Sequence, residues 1–367
     1  MVEPGVEMVE QLKRLRVLGD GFDLGSMSGI DLEFRDVEYE VDEIRPDLAV
    51  VRLVGGQTSA AFEPADIAFG ELVLTHLDRD ALGEPARDIG QIERSDSGIA
   101  VVRRDDRWYV SVAYTVAEAA RTAGGHPLPD PAAALVPRGA PSAEDAVDQM
   151  MRAAFDLDLR RLLELLPPDE AAAVHDYAPL FLPDAEAAVA SARDAMEVEG
   201  IELELTRLDL TSAERSRGRL VQITGIGIDV VSPFVSGGVE IGDDEIHLLL
   251  VGPDGISTVE MRFASGCLTM VATEPGRPDS VEEFCEDDVD GAMSDLFALD
   301  DLPDFNIFSR TPTLGIMTVE IDGAWYVSPL GTFSESQLEL VAAIDADELA
   351  TLVDWAVRQG ETALGAG

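Results

Sequence analysis

Apolar and acidic residues alternate along "GIDLEFRDVEYEV" from Gly29 and again along "GIELELTRLDL" from Gly200. A period of two puts Ile30, Leu32 and Phe34 on one face, and Ile201, Leu203 and Leu205 likewise, which predicts strands packed on one side. A second strand follows each, through "LAVVRLVGG" and "LVQITGIGIDVV". In the latter the apolar phase slips from Val221 and Ile223 to Ile226, Ile228 and Val230 across Gly225, predicting a bulge that bends the strand. Two hairpins come next, "GIAVVRRDDRWYVS" and "GIMTVEIDGAWYVS", with Asp105-Asp106 and Asp322-Gly323 at their turns. The pattern turns helical from Ser142, a predicted N-cap, where Val147, Met150, Met151, Ala154 and Phe155 form one stripe. A short helix capped by Asp158 and stopped by Pro167-Pro168 follows, then a third from Asp184 that closes at Gly200. A last helix carries Trp355 on its apolar side. Helices followed by bent antiparallel sheet define an α+β fold.

The hairpins are copies of one another. Gly98–Glu118 and Gly315–Glu335 align without a gap at an offset of 217, with ten identities in 21 positions. The shared residues include Gly98/Gly315, Asp105/Asp322, Trp108/Trp325, Tyr109/Tyr326, Val110/Val327, Ser111/Ser328 and Thr115/Thr332. "GIDLEF" and "GIELEL" match at an offset of 171. The economical reading is a duplicated domain. It places a first domain at 1–121, a linker with five prolines at 122–141, a second domain at 142–345 and a C-terminal helix and tail at 346–367. The second domain carries an insertion at 264–312 that the first lacks. The counterpart of Ser142 falls upstream of Met1, so the first domain is expected to be truncated, with an anchor or signal preceding it, in preference to being naturally short.

Composition narrows the partners. The formal charge is −46, from 72 Asp plus Glu against 26 Lys plus Arg. Such a surface repels nucleic acid and disfavours an anionic membrane, leaving cations, basic proteins or neutral ligands. Lys13 is the only lysine among abundant Arg, Ala, Gly and Pro, which points to a GC-rich genome ahead of a halophile. No stretch is long and apolar enough to span a bilayer, and the N-terminus lacks the basic and apolar segments of a signal peptide, so direct membrane insertion is not expected.

Candidate chemistry is sparse. Cys267 and Cys285 both lie in the insertion, which favours a disulfide stapling it over two buried thiols, and with it an oxidising compartment. Glu286, Asp288 and Asp290 fall at the first, third and fifth places of an EF-hand-like loop. The twelfth is Phe297, so the bidentate ligand is missing and a solvated acidic loop is the stronger reading. Trp108-Tyr109 and Trp325-Tyr326 are expected to anchor cores, since alternation sends one of each pair inward. His76, His126 and His247 read as surface or satisfied residues. No nucleophile elbow, phosphate loop or dinucleotide fingerprint is present, and no cofactor is expected.

The opening "AVDQMMRAAFDLDLRRLLELLPPDEA" and the closing "DGAWYVS" hairpin resemble the nuclear-transport-factor-2-like superfamily, a cone of curved antiparallel sheet around helices. As a tandem, the chain is similar to actinobacterial cell-envelope proteins with two such domains behind a membrane anchor. The resemblance covers most of 142–345 and the later part of 1–121. It implies two tandem cone domains in an extracytoplasmic location. Cone-fold cyclases and isomerases use Asp and His in the cavity, which singles out His175, beside Asp176, as the one weak catalytic candidate. The leading expectation is a non-enzymatic envelope module binding a protein or an envelope component. The alternatives are a carrier or sensor of a small apolar ligand, and an isomerase-like enzyme.

Overall fold

The computed structural model describes residues 2–25, 29–63, 66–76, 86–91, 98–233, 236–242, 244–252, 255–265, 267–285, 310 and 312–365. The fold is α+β with curved antiparallel sheets. The chain divides into two compact units, one of Met1–Ala132, Phe305–Thr313 and Ser334–Gly367, the other of Ala133–Asp304 and Leu314–Phe333.

The first unit begins with helix α1 (Val2–Arg14). The long hairpin β1 (Ile30–Arg45) and β2 (Leu48–Phe62) follows, then α2 (Glu71–His76), β3 (Ala86–Gln91), β4 (Ile99–Arg104), β5 (Arg107–Val110) and α3 (Val112–Ala123). β1 takes one edge of β2 over its whole length, while β4 and β3 share the other edge, and β5 closes the sheet as an edge strand. The ladder of β1 and β2 slips between Arg35 and Glu38, where Asp36 and Gly56 adopt left-handed backbone. The C-terminal residues belong here too. Arg14 donates to the carbonyls of Val341 and Ile344 at 2.8 and 3.0 Å, and His76 meets Asp354 at 2.8 Å. A guanidinium on the last carbonyls of a helix satisfies acceptors that have no partner within it.

In the second unit, α4 (Ala143–Phe155), α5 (Leu159–Glu164) and α6 (Ala172–Glu199) precede the sheet. Ser142 and Asp158 cap α4 and α5 as expected, each side chain accepting from an N–H three residues on. α6 begins at Ala172 rather than Asp184, running through Pro179 and Pro183. Proline has no N–H to offer back along the helix. The carbonyl of His175 left free by Pro179 accepts instead from Leu135 at 2.9 Å. A segment read as linker therefore repairs the helix.

The second sheet opens with β6 (Glu202–Arg215) and β7 (Gly218–Val231), whose ladder slips opposite Thr224, next to the Gly225 where the apolar phase shifted. β8 (Ser236–Ile241), β9 (Glu245–Gly252), β10 (Gly255–Ala264), β11 (Cys267–Thr273) and β12 (Ser280–Cys285) continue it as a meander. Added strands thus begin at β9, ahead of the insertion read at 264–312. β13 (Ile316–Ile321) returns to β7 alongside β8, β14 (Ala324–Val327) closes that edge, and α7 (Pro329–Ala343) and α8 (Ala346–Gly365) end the chain. The division between units falls within α7.

The repeated residues build the same joint twice. Thr115 Oγ1 donates to the Ser111 carbonyl at 2.7 Å and accepts from the Ala100 N–H at 2.9 Å. Thr332 Oγ1 donates to the Ser328 carbonyl at 2.8 Å and accepts from the Met317 N–H at 2.9 Å. The Ser111 and Ser328 N–H groups donate to Ala100 and Met317, while their hydroxyls accept from Tyr114 and Gly331 in the first helical turn. Each pair clasps a helix start to a central strand. Asp105 and Asp322 occupy left-handed turn positions at φ 49° and 53°, as a two-residue hairpin loop requires. A Cβ on Gly98 would lie 2.1 Å from Val50 Cγ1, and one on Gly315 2.7 Å from the Val221 carbonyl, so both sites need glycine for close approach.

Candidate functional site

The residues singled out for chemistry do not converge. His175 lies on α6, buried, with Nε2 2.9 Å from the Leu163 carbonyl. A carbonyl can only accept, so Nε2 carries a proton and the ring serves to pin α5 to α6. Its backbone carbonyl is engaged by Leu135 as well, and both bonds are structural. His247 is partly exposed on β9, 3.5 Å from Glu245 and 3.9 Å from Glu260, in an open polar cleft of about 350 Å³ with Arg207, Asp229 and Glu240. The nearby Arg207 guanidinium is held charged by the Asp209 carboxylate.

Cys267 and Cys285 form a disulfide between directly opposed positions of β11 and β12. The bridge fastens the outermost hairpin of the second sheet. Among the described residues, one grouping of His, Cys, Asp and Glu is tight enough for a metal, namely Cys267, Glu283 and Cys285, and the disulfide consumes both its sulfurs. Glu286, Asp288 and Asp290 lie outside the described residues.

The hairpin aromatics depart from expectation in a way that locates a surface. In the second unit they are core as predicted. Val327 is 3% exposed and Tyr326 8%, and Trp325 packs on a cluster of Ala140, Ala143, Ala146, Val147, Leu165 and Val221. Two strand-like hydrogen bonds join Ala140 to Trp325, and the Val327 N–H donates to the Leu165 carbonyl at 2.9 Å. The segment Ala140–Leu165 is therefore the lid over this hairpin. Leu210 on β6 also packs there, and Ser212 donates to Glu144 of α4.

In the first unit the same side chains are open. Val110 is 67% exposed, while Trp108 and Tyr109 are each 48% exposed. The expectation that these aromatics anchor a core fails here because, among the described residues, none takes the part that Ala140–Leu165 plays beneath Trp325 and Val327. Ladder partners share a face of a sheet. The pairs Arg103↔Trp108, Val101↔Val110, Val51↔Ile99, Val41↔Val51 and Tyr39↔Leu53 therefore gather Tyr39, Val41, Ile99, Trp108 and Val110 on one side. At the offsets of 171 and 217, these correspond to Leu210, Ser212, Ile316, Trp325 and Val327, which form the face that α4 and α5 cover. All five are exposed large hydrophobics. The five side chains thus lie together on one face of neighbouring strands, whereas singly scattered exposed hydrophobics need no explanation. Periodicity could not have found it, since exposure here depends on what lies above the sheet.

No known family matches the chain, and no curated protein and no solved structure matches it either.

Proposed function

We propose that the protein is a non-enzymatic binding module of the cell envelope, acting outside the membrane, and that it engages its partner through the first unit's open face. One observation carries this reading: the residues of a repeated motif are buried in one copy and open in the other. Removing that apolar area from water supplies the driving force for association. An oxidising compartment is supported by the disulfide Cys267–Cys285. Among the described residues no helix is long and apolar enough to cross a membrane, which fits a module held at the membrane by other means. Kinship with the nuclear-transport-factor-2-like superfamily is part of the same proposal. It is supported by helices α4 to α6 followed by an antiparallel sheet, and by the repeated hairpin.

A photo-crosslinking amino acid at position 110 of the full chain, in the cells that produce it, tests the reading. The expected result is one discrete adduct, absent when the probe replaces Val327 beneath its lid. No adduct at position 110, or free thiols at Cys267 and Cys285 in the purified native protein, would overturn it.

A further inference from the structure

The mouth of the β11–β12 hairpin gathers three side chains of metal-binding type. Cys267 opens β11 and Cys285 closes β12 directly opposite it, while Glu283 stands two residues before Cys285 and so on the same face. One ligand atom from each, two sulfurs and a carboxylate oxygen, lies within 4.8 Å of the others. β12 is an edge strand, Glu283 is exposed and both cysteines are half-buried, so the cluster is open to solvent and to an incoming thiol. The basic residue in the same row of the ladder, Arg262, reaches toward Glu245 at 4.0 Å, on the side away from Glu283.

While oxidised, the sulfurs are spent on the bridge, and reduction changes what they can do. A disulfide holds opposed Cβ atoms at about 3.8 Å, closer than the roughly 4.5–5.5 Å of ordinary cross-strand pairs. Released, the side chains relax apart, and two thiolates on one tetrahedral zinc stand about 3.8 Å from one another, given bonds of about 2.3 Å. The strands need not move. Thiolates select zinc-class ions over calcium or magnesium, and a carboxylate oxygen completes a three-ligand set with a fourth position for water. Charge favours the same outcome. Two thiolates beside Glu283, in a chain of formal charge −46, repel one another, and a dication relieves that repulsion.

We propose that Cys267, Glu283 and Cys285 form a redox-controlled site for a zinc-class dication, closed as a disulfide and opened by a dithiol. The exchange balances: the dithiol gives up two hydrogens and becomes a disulfide, as the Cys267–Cys285 bond breaks and two thiols form. Binding of the dication then releases both thiol protons to solvent. Exchange with a disulfide of another protein reverses both steps. In an oxidising compartment the bridged form is the resting state, and the ion is held only after a reduced dithiol has acted.

The test uses the full-length protein, first as isolated and then reduced with a phosphine that is removed under inert gas. Cobalt(II) serves as the spectroscopic probe for zinc. The oxidised protein is expected to give no thiolate–cobalt absorption. The reduced protein is expected to give that near-ultraviolet band, saturating at one ion per chain and bleached by added zinc. The band separates this site from carboxylates elsewhere. Cys267→Ser should abolish it, and Glu283→Gln should weaken binding about tenfold or more. Because reduction can loosen the hairpin, hydrogen exchange of the amides at 267–285 gives a second readout, fast in the reduced protein and slowed again by zinc but not by magnesium. A reduced protein without the thiolate–cobalt band overturns the proposal, as does a band that survives Cys267→Ser. Wild-type affinity in Glu283→Gln removes the carboxylate from the ligand set and overturns the three-ligand site. None of these outcomes bears on the position 110 crosslink, which tests the binding role separately.

Discussion

Thr115 and Thr332 show how one side chain fixes an element junction. Each hydroxyl donates to the carbonyl four residues back and accepts from a buried strand N–H, Ala100 in one unit and Met317 in the other. Valine is close in shape but removes both bonds, leaving an N–H buried and unpaired, which costs on the order of 1–3 kcal/mol. Thr332→Val and Thr115→Val are therefore expected to lower the urea midpoint by amounts of that order. Serine at either site should restore most of the loss, and an equal loss with serine would assign the effect to the methyl group instead. Glu144 gives a pH-dependent counterpart. The Ser212 hydroxyl, and after it a backbone N–H, hold the Glu144 carboxyl below its ordinary value against the opposing effect of burial, with the Arg219 charge assisting. A carboxyl depressed in the folded state stabilises above its unfolded pKa, and that contribution is lost as pH falls through the folded value. Ser212→Ala should thus lower stability near neutrality, with the two proteins converging as pH falls through and below the ordinary glutamate range. Parallel stability curves across that range would show that the bond is not linked to ionisation.

At the scale of elements, the hairpin β11–β12 depends on its cross-link. β12 is an edge strand, exposed over all but its last residue. A bridge across a loop of this length restrains the unfolded chain by roughly 3 kcal/mol in the chain-entropy estimate. Replacing Cys267 and Cys285 together by Ser should speed hydrogen exchange of the amides at 267–285, while the Ser328–Thr332 clasp keeps its protection. Acceleration spread over the whole second unit would mean that the hairpin is integral to that unit's core. The same comparison explains what could be read from the sequence. The hairpins, their Asp turns, the caps at Ser142 and Asp158 and the bulge next to Gly225 rest on contacts within a few residues or on strand alternation, so the chain displays them directly. The long α6 was hidden because two prolines broke its pattern, and the remedy, Leu135, lies outside the helix. The open face was hidden for a similar reason: Trp108 and Trp325 sit in nearly identical local sequence, and only the distant segment Ala140–Leu165 distinguishes them.

For the whole molecule, the charge of −46 sets up long-range repulsion that local pairs only partly relieve. Most described ion pairs have an exposed partner, such as Arg152–Asp148 and Arg160–Glu186, and pairs of that kind contribute at most about 1 kcal/mol each. Salt weakens both effects, but unequally. Repulsion summed over distances beyond about 10 Å is screened at about 0.1 M ionic strength, whereas contact pairs lose less. Repulsion should therefore be the larger loss, and the thermal midpoint at neutral pH should rise as sodium chloride is added from near zero to about 0.3 M. A midpoint that falls with salt would show instead that the local ion pairs outweigh the net charge.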